Sequence, residues 1–300
     1  MTVRVWDVAA GAAARPAVDG HERNVTALAR VGDGRCVVTA SGDTTLRVWD
    51  VVEGGAPLKL VGHERAVLAV ECYGEGDARR AVSGGEDKRL LVWDLDKGGA
   101  PLLKLVGHTS EVNAIACHGE GDARRAVSGG DDKRLLVWDL VKGGAPLLKL
   151  ECYGELLKLA RVGDGRRVVT ASRDKTLRVW DVVEGGAPLK LAGHTERVYA
   201  VECYGEGDAR RAVSGGRDKT LLVWDLDKGG APLLKLEGHE GMVLAIACHG
   251  EGDARRAVSG GFDNTLLVWD LVKGGAPLLK LVGHMREVYA IACHLSLIHI

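Results

Sequence analysis

The stretch that decides the fold is RLLVWDLDKGGAPLLKLVGH, residues 89–108. An apolar run ending in Trp-Asp is followed by Gly-Gly-Ala-Pro and by a second apolar run that leads into Gly-His. Glycine accepts a positive φ angle and proline lacks the amide donor that a central strand requires, so the middle segment favours a turn. The stretch therefore predicts two consecutive strands joined by a turn.

The Trp-Asp pair recurs along the chain. Seven tryptophans, spaced by 43, 44, 45, 42, 44 and 45 residues, are each followed by Asp: Trp6, Trp49, Trp93, Trp138, Trp180, Trp224 and Trp269. Within a repeat, apolar runs alternate with turn residues, as in VLAVECY, AVSGG, RLLVWDL and LLKL, which predicts four strands per repeat. A repeat of this period predicts one continuous domain of stacked units.

A Gly-His pair recurs in phase with Trp-Asp, upstream of an Asp that lies six residues before the Trp. The pairs are Gly20-His21, Gly62-His63, Gly107-His108, Gly193-His194, Gly238-His239 and Gly283-His284. Together the motifs resemble the WD-repeat β-propeller family over nearly the whole chain. The resemblance implies an all-β disc of four-stranded blades around a central channel. Six Gly-His starts, one degenerate start and seven tryptophans then predict a seven-bladed β-propeller.

The expected blades divide the chain as one WD-repeat domain. Residues 1–19 would supply the third and fourth strands of a closing blade, and residues 283–300 would supply its start and an atypical tail, LSLIHI. The six blades between them span residues 20–61, 62–106, 107–150, 151–192, 193–237 and 238–282. A closing blade shared between the ends removes open sheet edges. This one lacks a proper second strand, so we expect an incomplete blade, edge-to-edge self-association and a fragment of a longer array.

Five blades align a His, a Ser or Thr, an Asp and a Trp. These sets are His21, Thr39, Asp43, Trp49; His63, Ser83, Asp87, Trp93; His108, Ser128, Asp132, Trp138; His194, Ser214, Asp218, Trp224; and His239, Ser259, Asp263, Trp269. The resemblance implies structural tetrads linked by hydrogen bonds. Ser-His-Asp catalysis is the alternative, but an active site is needed once and this set occurs five times. Blade 4 has Glu151-Cys152 in place of Gly-His, so we expect it to be the least stable full blade.

Composition argues against several classes of function. The 40 basic and 41 acidic residues form no runs, which predicts no nucleic-acid partner. No segment approaches the about 18 apolar residues of a membrane span, so we expect a cytoplasmic protein with no membrane insertion. Seven cysteines, spread one per repeat, suit buried thiols in a reducing compartment. Pairs such as Cys117-His118 point to opposite faces of a strand, so we expect no metal. The polar sets are repeated and no unique cluster stands out, so we also expect no cofactor and no enzyme activity.

Residues 62–150 and 193–281 are an internal duplication of 89 positions, offset by 131, with 14 differences. Eight differences lie one to five residues after the His of Gly-His, and five more flank the Asp of the tetrad. The loops GEGDARR and DKGGAP are identical in both copies. Neutral drift would scatter changes over all exposed loops, so the variation is focused, although tolerance at loop positions is the alternative.

The resemblance implies that the residue before each Asp and the residues three and five after each His line one face at the channel mouth. In blade order these residues are Gly42, Asn24, Thr26; Glu86, Ala66, Leu68; Asp131, Glu111, Asn113; Arg173; Arg217, Arg197, Tyr199; Phe262, Met242, Leu244; and finally Glu287, Tyr289. The order gives an acidic, then a basic, then an apolar arc. Aromatic, Met and Arg side chains are enriched at interface centres, so the only phenylalanine, Phe262, is expected to contact a partner.

The sequence therefore predicts a non-catalytic scaffold that binds a protein or peptide partner through this face. Two alternatives remain open. The chain could be the recognition region of a larger signalling or sensor protein whose nucleotide-binding module lies elsewhere. It could also be a structural spacer in a large assembly, in which case no substitution on one face would matter.

Overall fold

The computed structural model describes residues 20–291 except 33–34, 75–78, 120, 164, 206–209 and 251–254. In these residues the structure has 24 strands and one turn of 3-10 helix, Gly121–Ala123. The strands of the first three blades are β1 Val25–Val31, β2 Cys36–Ser41, β3 Thr45–Asp50, β4 Leu58–Val61, β5 Val67–Tyr73, β6 Arg80–Gly85, β7 Arg89–Asp94, β8 Leu103–Val106, β9 Val112–His118, β10 Arg125–Gly130, β11 Arg134–Asp139 and β12 Leu148–Glu151. Those of the next three are β13 Leu156–Val162, β14 Arg167–Ser172, β15 Thr176–Asp181, β16 Leu189–Ala192, β17 Val198–Tyr204, β18 Arg211–Gly216, β19 Thr220–Asp225, β20 Leu234–Glu237, β21 Val243–His249, β22 Arg256–Gly261, β23 Thr265–Asp270 and β24 Leu279–Val282.

Each blade is an antiparallel sheet of four consecutive strands, as the repeat predicts. The first strands β1, β5, β9, β13, β17 and β21 lie side by side in chain order around the channel. Each first strand carries a register shift at its second residue, such as Leu68 between Val67 and Ala69. A β-bulge of this kind takes one residue out of the ladder and re-aims its side chain.

The prediction of seven blades is wrong, because the structure is a six-bladed propeller. Trp6 and the remainder of residues 1–19 lie outside the described residues, as does the segment 292–300. Residues 283–291 form no strand, although Val288 is buried against the last blade and its amide donates to the carbonyl of Gly261 at 3.2 Å. A first strand needs the second strand of its own blade as a partner, and no described residue supplies one here.

The hydrophobic core lies between the blades. Between blades 2 and 3, Val82 and Leu90 pack with Ile115, Leu136 and Trp138, all in the same buried cluster. Four tryptophans are among the largest fully buried side chains: Trp93, Trp138, Trp224 and Trp269. Burying a large side chain contributes roughly 1.5–3 kcal/mol, so each seam between blades is a substantial part of the stability.

Side-chain sizes on the two sides of each seam are matched. A Cβ added to Gly84 would lie 2.6 Å from Cγ1 of Val112 and 3.2 Å from Cδ1 of Ile115. The seam between blades 1 and 2 instead pairs Ala40 with Val70, which is one methylene smaller than isoleucine. The same pairing recurs at two kinds of seam: Ala171 shares a cluster with Val201, while Gly215 and Gly260 face Ile246 and Ile291. The seam between blades 3 and 4 differs, because Gly129 faces Leu156 there.

This matching predicts that Gly84→Ala overpacks the seam and destabilises the chain by about 1–3 kcal/mol. Ile115→Val alone should cost about 0.5–1.5 kcal/mol. The double variant reproduces the Ala40–Val70 pair and should be more stable than Gly84→Ala alone. Urea unfolding of the four proteins measures the coupling, and additive losses in the double variant would contradict the matching.

Candidate interaction face

A buried chain of hydrogen bonds ties each of the five regular blades together. In blade 3 the indole Nε1 of Trp138 donates to Oγ of Ser128 at 2.8 Å, and this hydroxyl is 2.7 Å from Nε2 of His108. The Nδ1 of the same imidazole lies 2.8 Å from Oδ2 of Asp132. The serine is fully buried, so its hydroxyl has no access to a substrate. The four side chains of each tetrad therefore form one continuous chain of hydrogen bonds within the blade.

The aspartate of each tetrad also fixes two backbone segments. Oδ2 of Asp263 accepts from the amide of Glu240, next to the histidine, and Oδ1 accepts from the amide of Thr265, the first residue of the third strand. Burial opposes ionisation of Asp263, but the hydrogen bonds from His239 and Thr265 outweigh it and hold its pKa well below the usual range. The ionised carboxylate thus anchors the loop after the histidine and the turn after the aspartate.

Blade 4 replaces its missing imidazole with an arginine that sequence analysis overlooked. Cys152 lies four residues before β13, where the other blades have histidine, and it packs in the core beside Trp180. The guanidinium of Arg178 donates to Oδ2 of Asp174 at 2.5 Å and lies 4.6 Å from the ring centroid of Tyr153. Trp180 still donates to Oγ1 of Thr170 at 3.0 Å. The sequence signal for this arginine is TLRVWD at residues 176–181, in which Arg178 stands at the position that Leu222 has in TLLVWD.

The residues of the predicted face are paired by the backbone in every described blade. The amide of the residue before each Asp donates to the carbonyl of the residue three after the histidine position, as from Glu86 to Ala66 at 3.0 Å and from Phe262 to Met242 at 2.8 Å. The residue five after that position is the bulged one, as Leu68 is in blade 2. The backbone at all three positions is fixed by the strand pairing, whereas the side chains take no part in that pairing.

The acidic arc consists of Glu86, Glu111 and Asp131. Burial and the negative charges of Asp131 and Glu86 raise the pKa of Glu111. Asn113 donates to Oδ1 of Asp131 at 2.6 Å and to the carbonyl of Leu156 at 3.1 Å. An open depression of about 720 Å³ adjoins this arc between blades 1 and 2 and is lined by Glu22, Arg23, Asn24, Thr26, Gly42, Thr44, Glu64, Arg65, Ala66, Leu68 and Glu86.

The arginines of the basic arc differ in whether they form an ion pair, and the side chains of the apolar arc are exposed or partly exposed. Arg173 pairs with Glu155 at 2.5 Å, whereas Arg197 and Arg217 form no ion pair with any described residue. Phe262 is 47% exposed and Tyr289 43% exposed. The other members of the arcs, Tyr199, Met242, Leu244 and Glu287, are partly exposed.

The central channel contains a charge cluster that sequence analysis missed. Lys158 stands in β13 where the other first strands have alanine, and Glu71 and Glu202 come from blades 2 and 5. Burial raises the pKa of each carboxyl to about 7, while the charges of Lys158 and Arg161 oppose that shift. The charge of Glu71 also raises the pKa of Glu202. Neither carboxylate forms an ion pair with a described residue.

Arg178→Leu should leave Asp174 without its cation and lower the free energy of unfolding by about 1–3 kcal/mol, because a buried hydrogen-bonded charge loses its partner. Arg47→Leu is the matched control, since in blade 1 the imidazole of His21 already binds Asp43 at 2.9 Å. Urea unfolding compares the two variants. Equal losses would contradict the role assigned to Arg178.

The channel carboxyls predict that stability falls as the pH rises towards 8. Their folded-state pKa is about 7, whereas the pKa of an unfolded glutamate is about 4.3. Between these two pH values the folded chain holds protons that the unfolded chain has released, so the free energy of unfolding falls as the pH rises. Glu71→Gln/Glu202→Gln should raise the free energy of unfolding at pH 8 by at least about 1 kcal/mol and leave it little changed at pH 4.5. Thermal melts across this pH range measure the effect, and parallel curves for the two proteins would refute it.

Membrane spans, metal sites and similarity to known proteins bear on the class of protein. No helix among the described residues is long and apolar enough to span a membrane, and these residues hold no group of three His, Cys, Asp or Glu placed to bind a metal. No curated protein sequence matches the chain. The family model described as WD domain, G-beta repeat matches residues 16–50, 56–94, 99–139, 146–181, 187–225 and 230–270. Six repeats matched over more than half of the chain confirm the resemblance, and the chain belongs to the WD40 repeat family.

Proposed function

We propose that this chain is a non-catalytic scaffold that binds a protein or peptide partner through the face at the channel mouth. WD40 propellers commonly mediate protein–protein interactions. The observation that carries the proposal is the position of the differences between the duplicated halves: 13 of 14 lie in the two windows that the tetrad aspartates anchor.

The geometry explains why these windows can change without changing the fold. Their backbone bonds are made by whatever residue is present, as the same amide-to-carbonyl pair joins Glu86 to Ala66 and Arg217 to Arg197. The tetrads beneath them are identical in the two halves. Variation on a fixed frame alters the chemistry of one surface only, which favours a recognition surface over a spacer.

Two features argue against catalysis by the tetrads. Their hydroxyls are buried, with Ser83, Ser128, Ser214 and Ser259 at 0% exposure, and their imidazoles are buried as well. Each hydroxyl is also already hydrogen-bonded to an indole and an imidazole inside its blade.

A face-swapped variant tests the proposal with residues that the fold already accepts. It places the blade 2 and blade 3 residues at the matching positions of blades 5 and 6: Arg197→Ala, Tyr199→Leu, Arg217→Glu, Met242→Glu, Leu244→Asn and Phe262→Asp. A random peptide library on phage is selected against the full chain. We expect the selected peptides to bind the face-swapped variant at least tenfold more weakly, or about 1.4 kcal/mol.

The control variant is Lys190→Ala/Lys280→Ala, which removes two positive charges from exposed positions of the outer strands β16 and β24. It should bind the selected peptides as the wild type does. Equal thermal stability of the three proteins shows that the swap has not unfolded the chain. Peptides that bind all three proteins equally, or no selected peptide, would overturn the proposal.

A further inference from the structure

The mouth of blades 5 and 6 differs from the rest of the face in joining unneutralised arginines to an exposed aromatic ring. Its residues are Arg197, Arg217, Met242, Leu244 and Phe262. We infer that this mouth binds a short protein segment in which a large apolar side chain is flanked by acidic residues. The inference rests on the proposed function and specifies the chemistry of its partner.

The arginines supply the charge complementarity. Neither Arg197 nor Arg217 forms an ion pair with a described residue, although acidic side chains lie on the same loops. Asp218 is bound to His194 at 2.8 Å, and Glu196 lies 3.8 Å from Lys175. These two acids are therefore engaged with other groups, and both guanidinium groups remain available to donate to incoming carboxylates.

Phe262 supplies the apolar anchor. Its backbone is held at the start of the turn by the bond from its amide to the carbonyl of Met242, and it is 47% exposed. A Cβ on Gly241 would lie 3.2 Å from Cβ of Phe262 and 2.7 Å from the amide nitrogen of Asp263, so a side chain there would force the turn to shift. The backbone that carries the ring is thus already held in place before a partner covers it.

The opposite arc does not make an equally good site for a basic segment. Asp131 is already bound by Asn113 at 2.6 Å, and Arg89 pairs with Glu64 near Glu86. None of the predicted face residues of blades 2 and 3 is aromatic, and the exposed Tyr153 of blade 4 already contacts Arg178. Interface energy concentrates in Trp, Tyr and Arg anchors near a desolvated centre, which favours the arginine and aromatic mouth over the acidic arc.

The test uses peptides selected from the random library that bind the wild type but not the face-swapped variant. They are synthesised with a fluorescent label and titrated against the full chain by fluorescence anisotropy. We expect a net negative charge and at least one large apolar residue in these peptides. Raising the salt from about 50 to about 500 mM should weaken their binding, because the Debye length falls severalfold.

Two variants separate the anchors. Phe262→Ala and Arg197→Ala/Arg217→Ala should each weaken binding on the order of tenfold. Lys190→Ala/Lys280→Ala, which removes the same number of charges from the outer strands, should not. An acidic peptide whose binding survives the loss of both arginines would overturn the inference.

The remaining outcomes distinguish this inference from the proposed function. Peptides that depend on the face but are basic, or that lack an apolar residue, would overturn the inference and leave the proposed function standing. So would a chain that occupies this mouth with a second copy of itself, seen as a dimer in sedimentation velocity that Arg217→Glu disrupts. An absence of face-dependent peptides would overturn both.

Discussion

The hydrogen-bonded chain from indole to hydroxyl to imidazole to carboxylate is the interaction on which the rest of the structure depends. It connects the loop before the first strand, the second strand, the turn after it and the third strand of one blade. Loss of any member leaves a buried polar group without a partner, at a cost of about 1–3 kcal/mol. Because its aspartate also binds the amide of Glu64 and its equivalents, the same chain fixes the backbone of the variable windows. Within one repeat, the residues that stabilise the blade are thus different from the residues that vary on its surface.

Blade 4 and the central channel differ in whether their carboxylates have a cationic partner. Blade 4 has lost its imidazole, yet its carboxylate still has a cationic partner because Arg178 is bound to Asp174 and covered by Tyr153. The channel is the opposite case, since Glu71 and Glu202 are partly buried and form no ion pair with a described residue. Buried carboxylates of this kind cost stability when ionised, so the centre of the propeller is less well neutralised than its blades.

Sequence analysis predicted the four-stranded blade correctly but gave the wrong number of blades. Four strands and a tetrad follow from motifs within one repeat, whereas closure depends on strands that the two ends must supply together. Trp6 and His284 were counted as markers of a seventh blade although that blade already lacked a proper second strand, and without this partner residues 283–291 form no strand. The bulge at Leu68 and its equivalents leaves no mark in the sequence, because it is a property of strand register. Arg178 and Lys158 were visible as departures from aligned repeats, but their roles required coordinates.

The most direct test of the account is the hydrogen–deuterium exchange footprint of a bound peptide on the full chain. The account predicts slowed exchange in the loops at residues 196–199 and 240–244 and in the turns at residues 217 and 262, with little change elsewhere. Slowed exchange confined to the outer strands, or to the loops at the opposite end of the blades, would contradict the claim that the mouth is the recognition surface.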